Sequence, residues 1–169
     1  MNLERVALPD LSAITHQVLL PQRGPFEVPA FKVIAYKGEY GHGSAGSKDA
    51  TYILASAAGA HTAWYSKSIV LDFTELSYEW GDEMELVLSI GHDRVTRCPY
   101  PIAIVVGPMC KAALTSLLAE RYNEYCVESL AQALDLLKRK REAFEECSKQ
   151  WRIAAQQRRE SERNAANSQ

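Results

Sequence analysis

The sequence has no apolar run that approaches the roughly 18–20 residues needed to cross a bilayer. Its first residues, MNLERVALPDLSAIT, lack the basic start and unbroken apolar stretch of a secretory signal. Net charge is also low, at −2 over 169 residues, which gives no reason to expect nucleic acid or an anionic membrane as a partner. These absences predict a cytoplasmic protein that binds neither a membrane nor nucleic acid.

The cysteines form no C-x-x-C motif, and none lies near a histidine at zinc-finger spacing. The histidines show no H-E-x-x-H pattern, so the sequence predicts no metal site and no cofactor. With 47% apolar residues, the chain can build a core without a disulfide framework. Reduced thiols are therefore predicted at Cys98, Cys110, Cys126 and Cys147.

Charge is unevenly distributed along the chain. Residues 138–169 carry nine Lys and Arg against five Asp and Glu, whereas residues 1–137 carry ten against sixteen. This asymmetry predicts an acidic globular body with a basic tail. We divide the chain into an irregular N-terminal segment (1–30), an α/β domain (31–137) and a basic helical extension (138–169). The end of that extension has no apolar residues to bury and is predicted to be disordered.

Short apolar runs alternate with segments of helical periodicity. Apolar residues recur every three or four positions over 50–65, within DEMELVLSIGHD and over 110–118, and a last helix follows the S-x-x-Q capping pattern at Ser129. The runs between the helices are typical of buried strands: FKVIAY (31–36), SIVLDF (68–73), PIAIVVG (101–107) and NEYCV (123–127), with HQVLL (16–20) as a further candidate. This order predicts an α/β fold with a mainly parallel sheet, alternating helices and a long C-terminal helix.

The last helix is predicted to continue past the domain. Leu130, Leu137, Phe144 and Trp151 follow one another at intervals of seven, but polar companion positions make this stripe a poor coiled-coil seam. Two interpretations stay open. The helix presents Phe144 and Trp151 to a protein partner or to a second copy of the chain, giving a homodimer, or both side chains fold back onto their own domain.

The glycine-rich segment GEYGHGSAGSKDAT (38–51) connects a predicted strand to a predicted helix, where many proteins bind phosphate. Gly41 and Gly46 have the separation of a G-x-x-x-x-G-K-[ST] loop, but Ser47 and Lys48 follow in reversed order. The Lys48 ammonium is then not placed to reach the terminal phosphates, and the Ser47 hydroxyl is not placed to coordinate magnesium. The segment is better explained as a mobile connection.

The same segment fails as a G-x-S-x-G nucleophile elbow. Ser44 has Gly46 two residues later, but His42 occupies the position of the first glycine. Ser47 or Asp49 is instead predicted to cap the helix that follows, because either side chain can accept a hydrogen bond from a free backbone N–H.

The segment SYEWGDEMEL (77–86) follows the SIVLDF strand at an edge where α/β proteins commonly bind ligands and partners. Large aromatics in such a loop can anchor an interface, and a run of carboxylates at a helix start is typical of a solvated face. We predict a protein-binding site without catalytic residues, formed by Tyr78, Glu79, Trp80, Gly81, Asp82 and Glu83, with Phe144 and Trp151 of the last helix.

From about residue 68 to 138 the chain resembles the STAS domain family (sulfate transporter and anti-sigma-factor antagonist). The segments SIVLDFTELSYEWGDEMELVLSI, PIAIVVGPMCKAALTSLLAE and YCVESLAQALDLLKRK look like three successive units of that family. Its bacterial antagonists carry a serine-containing turn that a partner kinase phosphorylates. The corresponding turn here, Glu79 to Glu83, has no hydroxyl, and Asp82 supplies a fixed negative charge. The resemblance implies a constitutive regulatory or protein-interaction module.

A second resemblance is to the crotonase/ClpP superfamily, through CPYPIAIVVGPMCKAAL. That strand–Gly–Pro–helix element forms an oxyanion hole in those enzymes, but Met109, Cys110 and Lys111 stand where further glycines are usual. This resemblance implies a degenerate enzyme. The leading hypothesis is a non-enzymatic interaction module, and the alternative is an enzyme-derived domain that uses the Gly41–Lys48 loop for an acyl-CoA or phosphate ligand.

Overall fold

The computed structural model describes residues 3–22, 27–91, 96 and 98–166. Five strands form one sheet in sequential order, with β1 antiparallel to β2 and the remaining neighbours parallel. The strands are β1 (Thr15–Leu19), β2 (Lys32–Glu39), β3 (Ile69–Ser77), β4 (Ile102–Val106) and β5 (Cys126–Val127). The predicted α/β fold with a mostly parallel sheet is confirmed.

Helices and short 3-10 segments connect the strands. The α-helices are α1 (Gly46–Ala63), α2 (Lys111–Leu118), α3 (Tyr122–Tyr125) and α4 (Leu130–Ala166). The 3-10 segments are Leu8–Leu11, Gly43–Ala45, Met84–Gly91 and Ala119–Arg121. At 37 residues, α4 is about 55 Å long, which confirms the predicted long C-terminal helix.

The sheet separates two apolar layers because successive side chains of a strand point to opposite faces. On one face, Ile34, Leu71, Phe73 and Ile104 pack with Ile53 of α1 and with neighbouring side chains of Met84–Gly91 and α2. On the other face, alternate strand residues pack against the first turns of α4: Val33, Val70, Ala103 and Val105 meet Ala133, Leu136 and Leu137. The N-terminal segment also joins the first layer, since Ile14 is buried and β1 extends the sheet.

Two predicted elements have a different local structure. The helix predicted over DEMELVLSIGHD is a 3-10 segment over Met84–Gly91, and His92 and Asp93 lie outside the described residues. The strand predicted over NEYCV is reduced to Cys126–Val127, because Tyr122–Tyr125 form a helical turn. Tyr122 and Tyr125 both pack against the core from this turn. A short apolar run such as YCV does not distinguish a strand from one turn of helix.

The predicted side-chain cap of α1 is wrong. The helix begins at Gly46 after Ala45, and no side chain caps it. Asp49 instead accepts a hydrogen bond from the backbone N–H of Gly41 at 2.8 Å and another from the Ser12 hydroxyl. The capping pattern predicted for α4 is present: Ser129 Oγ accepts from the backbone N–H of Gln132 at 3.3 Å.

The prediction of four reduced thiols is wrong for two of them. Cys98, just before β4, and Cys147, on α4, form a disulfide with their Cα atoms 5.9 Å apart. They meet because α4 runs back past the start of β4, where Lys140 Nζ donates to the Ile102 carbonyl at 2.9 Å. Cys110 and Cys126 are buried free thiols. Disulfides are rare in cytosolic proteins, so the Cys98–Cys147 bond gives the predicted cytoplasmic location no support.

The second half of α4 changes from packed to exposed along its length. Phe144 packs on its own domain, with its ring centroid 5.5 Å from that of Tyr100, and Ser148 is buried. Trp151 and Ile153 are exposed. The described part of the predicted disordered tail is helical to Ala166, and Gln156 donates to Glu160 at 2.9 Å along it. Among the described helices, none has an apolar stretch suited to spanning a bilayer.

Lys32, the first residue of β2, is fully buried, and its ammonium lies against the C-terminal end of α1. Its Nζ donates to the Ala60 carbonyl at 3.0 Å and to that of Trp64, and lies 3.4 Å from Nδ1 of His61. The ammonium thus gives the Trp64 carbonyl a partner and is a second donor to the Ala60 carbonyl, which also accepts from the Trp64 N–H at 3.0 Å. Burial lowers the pKa of Lys32 from its usual 10.5 to about 8.

We expect the Lys32→Met variant to lose stability relative to the wild type as pH rises from 8 to 10.5. In that window the unfolded wild-type chain keeps the Lys32 proton and the folded chain releases it, so Lys32 makes the free energy of unfolding of the wild type rise with pH. The Lys32→Met variant lacks this gain. The slope is at most about 1.4 kcal/mol per pH unit. Urea titrations of both proteins at several pH values measure the difference. A difference that stays constant across the window contradicts the assignment.

Candidate functional site

The glycine-rich segment (38–51) and the turn that carries Trp80 (78–83, the Trp80 turn) lie side by side at the carboxyl edge of the sheet. They meet because β2 and β3 are parallel neighbours that end at the same edge, at Glu39 and Ser77. The Tyr40 N–H donates to the Ser77 carbonyl at 2.9 Å and continues the strand pairing into the two loops. The two candidate segments found separately in the sequence therefore form one surface.

Two buried tyrosines support the turn from beneath. Tyr40 is 1% exposed, and its hydroxyl donates to the Asp82 carbonyl at 2.6 Å. Tyr78 is 3% exposed, and its ring meets that of Tyr40 edge-on with the centroids 5.1 Å apart. Burial raises the pKa of both hydroxyls, so they remain protonated donors at neutral pH. The Asp82 N–H adds a third link, to the Gly43 carbonyl at 3.0 Å.

Trp80 lies on top of this support and is 60% exposed. Its ring rests on Gly43, where an added Cβ would lie 3.1 Å from Cη2 of the indole. Gly43 also has a φ of +54°, so the position favours glycine for both space and conformation. The His42 ring lies beside the indole, with the centroids 6.1 Å apart, and its Nε2 is 3.4 Å from Oε2 of Glu79. The indole is thus positioned by its neighbours yet open to solvent.

Acidic side chains are concentrated in and directly after the turn that carries Trp80. Glu79, Asp82, Glu83 and Glu85 are all exposed. Glu83 has a φ of 69°, a left-handed conformation that turns the chain sharply into the Met84–Gly91 segment. Within the described residues, no group of three or more candidate ligands is arranged to bind a metal. We call His42, Gly43, Glu79, Trp80, Asp82 and Glu83 the Trp80 surface.

Three backbone N–H groups of the glycine-rich segment are already hydrogen-bonded within the protein. The Gly41 N–H donates to the Asp49 carboxylate, and the Ala45 N–H donates to the His42 carbonyl. The Gly46 N–H is likewise taken by the carbonyls of Gly43 and Ser44. A buried carboxylate beside these donors disfavours a second anion. The geometry gives the phosphate-loop hypothesis no support.

The element that resembles an oxyanion hole is also internally bonded. The N–H groups of Cys110 and Lys111 both donate to the Gly107 carbonyl, at 3.3 and 3.1 Å. At Gly107 an added Cβ would lie 2.3 Å from the Thr74 carbonyl oxygen, so this glycine is needed for close approach to β3. Packing between strands therefore accounts for Gly107 without an acyl ligand.

The predicted binding residues do not form one site: those of the turn lie at the carboxyl edge of the sheet, Phe144 lies at the amino edge, and Trp151 is exposed farther along α4. Glu79, Trp80, Asp82 and Glu83 share the Trp80 surface, while Tyr78 lies beneath it and Gly81 is partly covered. Phe144 lies near Tyr100, which precedes β4 and so belongs to the amino edge. Sequence reasoning missed His42 and Gly43, whose role depends on contact with a residue almost 40 positions later. The sequence did contain one signal for this contact: a glycine-rich loop follows one predicted strand, and a tryptophan follows the next.

Comparison of the chain with protein-family models, with curated proteins and with solved structures finds no match.

Proposed function

We propose that the protein is a non-enzymatic, STAS-like interaction module that binds a protein partner through the Trp80 surface. The observation that carries this proposal is an indole that is 60% exposed above a turn held by two buried tyrosines and a glycine contact. A rigid exposed tryptophan loses little conformational entropy on binding and is a frequent hot-spot residue. The position of the turn directly after β3 supports the STAS-like part of the proposal.

The surface also specifies the chemistry of its partner. Four exposed carboxylates, those of Glu79, Asp82, Glu83 and Glu85, lie within five residues of Trp80 in the chain. A complementary protein offers an apolar pocket for the indole with lysine or arginine side chains around it. Because the turn from Glu79 to Glu83 contains no hydroxyl, phosphorylation within it cannot switch the contact. The interaction is constitutive at this turn and weakens as salt screens the charges.

We expect Trp80→Ala to weaken partner binding by about 30-fold or more, because truncating a hot-spot tryptophan costs about 2 kcal/mol or more. The free energy of unfolding should change by less than about 0.5 kcal/mol, because the ring is largely solvent-exposed. Affinity capture from native lysate with wild-type and variant baits identifies the partner, and titration with the purified partner measures the loss.

Trp64→Ala is the matched control, since Trp64 is 47% exposed and follows α1, away from the turn. It should retain full binding. A bait without residues 138–169 tests whether α4 contributes to the same contact. Equal capture by wild type and Trp80→Ala would remove the proposal, and a large loss of stability would place Trp80 in the core instead.

A further inference from the structure

A cavity of about 430 Å³ opens at the amino edge of the sheet, opposite the Trp80 surface. Its walls come from α4, from residues 99–102 before and at the start of β4, and from residues 121–125. The volume falls within the range of about 300–1,000 Å³ that is usual for small-molecule sites. Most of the lining is apolar, including Leu88, Tyr100, Ile102, Leu136 and Phe144.

Among the described residues, one cation in this lining has no carboxylate within ion-pair distance. Lys140 projects from α4, and its Nζ donates to the Ile102 carbonyl at 2.9 Å and lies 3.9 Å from the centre of the Tyr125 ring. No carboxylate of the described residues lies within 4.0 Å of this nitrogen. An ammonium has three donor hydrogens, and the carbonyl uses one of them. A partly buried charge in apolar surroundings is costly until an anion pairs with it.

The charges at the rim limit which anion fits. Arg121 and Glu124 also line the cavity, and they pair with each other with Nε and Oε2 3.7 Å apart. The Glu124 carboxylate opposes a second negative charge close to Lys140, which favours a monoanion over a phosphate dianion. The apolar walls favour a ligand with a hydrocarbon body.

We propose that this cavity binds a small carboxylic acid with an apolar body, whose carboxylate accepts a hydrogen bond from Lys140. The hydrocarbon part lies against Leu136 and Phe144, and the carboxylate neutralises the ammonium at the inner wall. This site is separate from the Trp80 surface and requires no partner protein.

Calorimetric titration with octanoate, octanol and octylamine tests the proposal on the full chain. Octanoate should bind at least tenfold more tightly than octanol, because a hydrogen bond to a charged group is stronger than one between neutral groups. Octylamine should bind more weakly than octanol, since Lys140 repels it. Equal affinities for octanoate and octanol, or no binding of octanoate, would overturn the proposal.

Variants of α4 locate the contact. Lys140→Met keeps the apolar stem and should reduce octanoate affinity to that of octanol, whereas Lys138→Met, at an exposed position of the same helix, should retain wild-type binding. Ala143→Phe adds a ring at the exposed edge of the cavity and should abolish binding of both ligands without unfolding the chain. Octanoate binding that survives both Lys140→Met and Ala143→Phe would place the ligand elsewhere and refute the site.

The pH dependence of octanoate binding tests the role of Lys140 independently of the ligand series. Burial lowers the pKa of Lys140 to about 8, while the nearby Glu124 and Cys126 act to raise it and Arg121 acts to lower it. Octanoate affinity should therefore fall as pH rises through and above about 8, when the ammonium loses its proton. In Lys140→Met that fall should be absent. A fall of equal size in both proteins would assign the titration to another group and count against Lys140.

Discussion

Reduction of the Cys98–Cys147 disulfide is expected to lower the free energy of unfolding by about 4 kcal/mol. The two cysteines are 49 residues apart in the chain, so the bond removes much of the loop-closure entropy of the unfolded state. For a domain of this size the loss corresponds to a fall in Tm of about 10 °C. Thermal unfolding with and without dithiothreitol measures it.

A Cys147→Ser variant separates the bond from other effects of the reductant. It should melt near the reduced wild type and should not respond to dithiothreitol. Cys110 and Cys126 are free thiols in both proteins and Cys98 becomes one in the variant, so any response that remains in the variant reports on a disulfide formed by one of these three thiols. Identical melting of oxidised and reduced wild type would contradict the contribution assigned to the disulfide.

The destabilisation that follows reduction should be concentrated in α4. Beyond Leu137, contacts of this helix with the domain include the Lys140 hydrogen bond, the Phe144–Tyr100 contact and the disulfide. Hydrogen exchange should show residues 141–151 opening faster after reduction, while residues 130–137 remain protected by their packing on the sheet. Uniform acceleration along the whole helix would show that α4 opens as one unit.

Gly81→Ala is expected to destabilise the fold by about 2–3 kcal/mol and to distort the Trp80 surface. An added Cβ would lie 2.5 Å from the Gly41 carbonyl oxygen and 2.7 Å from Cε1 of Tyr40. Neither neighbour can move freely, because one is backbone and the other is a buried ring whose hydroxyl is bonded to Asp82. Overpacking of this kind typically costs about 1–3 kcal/mol. Urea unfolding measures the change.

Gly59→Ala is the control for the glycine itself. Gly59 is exposed within α1, and a Cβ there would meet nothing within 4 Å. This substitution should stabilise the protein by about 0.5–1 kcal/mol, because alanine is the better helix former. Destabilisation of similar size in both variants would show that close packing at Gly81 is not the cause.

The order of strands and helices could be predicted from the sequence because it is encoded locally. Apolar runs such as SIVLDF and the periodicity of α1 depend on neighbouring residues alone. The Cys98–Cys147 pair could not be predicted, because it depends on the path of α4 past the start of β4. The 3-10 form of Met84–Gly91 was also hidden, since its spacing of apolar residues fits an α-helix equally well.

For the candidate site, composition and position identified the Trp80 turn but not what holds it. Tyr78 was predicted to contact a partner because it is a large aromatic in a loop, yet its ring lies beneath the turn against Tyr40. The contact of Trp80 with Gly43 depends on the pairing of β2 with β3, which a sequence-local argument does not supply. Asp49 was one of two residues predicted to cap α1, but its carboxylate instead accepts a hydrogen bond from the Gly41 N–H.

The sequential order of the five strands has a kinetic consequence. Each strand pairs with the one synthesised just before it, so the sheet can grow from one side as the chain leaves the ribosome. Neighbouring strands that are close in sequence also keep the contact order low for a parallel sheet, which favours rapid folding. The Cys98–Cys147 bond can form only after α4 has emerged, so oxidation follows assembly of the sheet rather than guiding it.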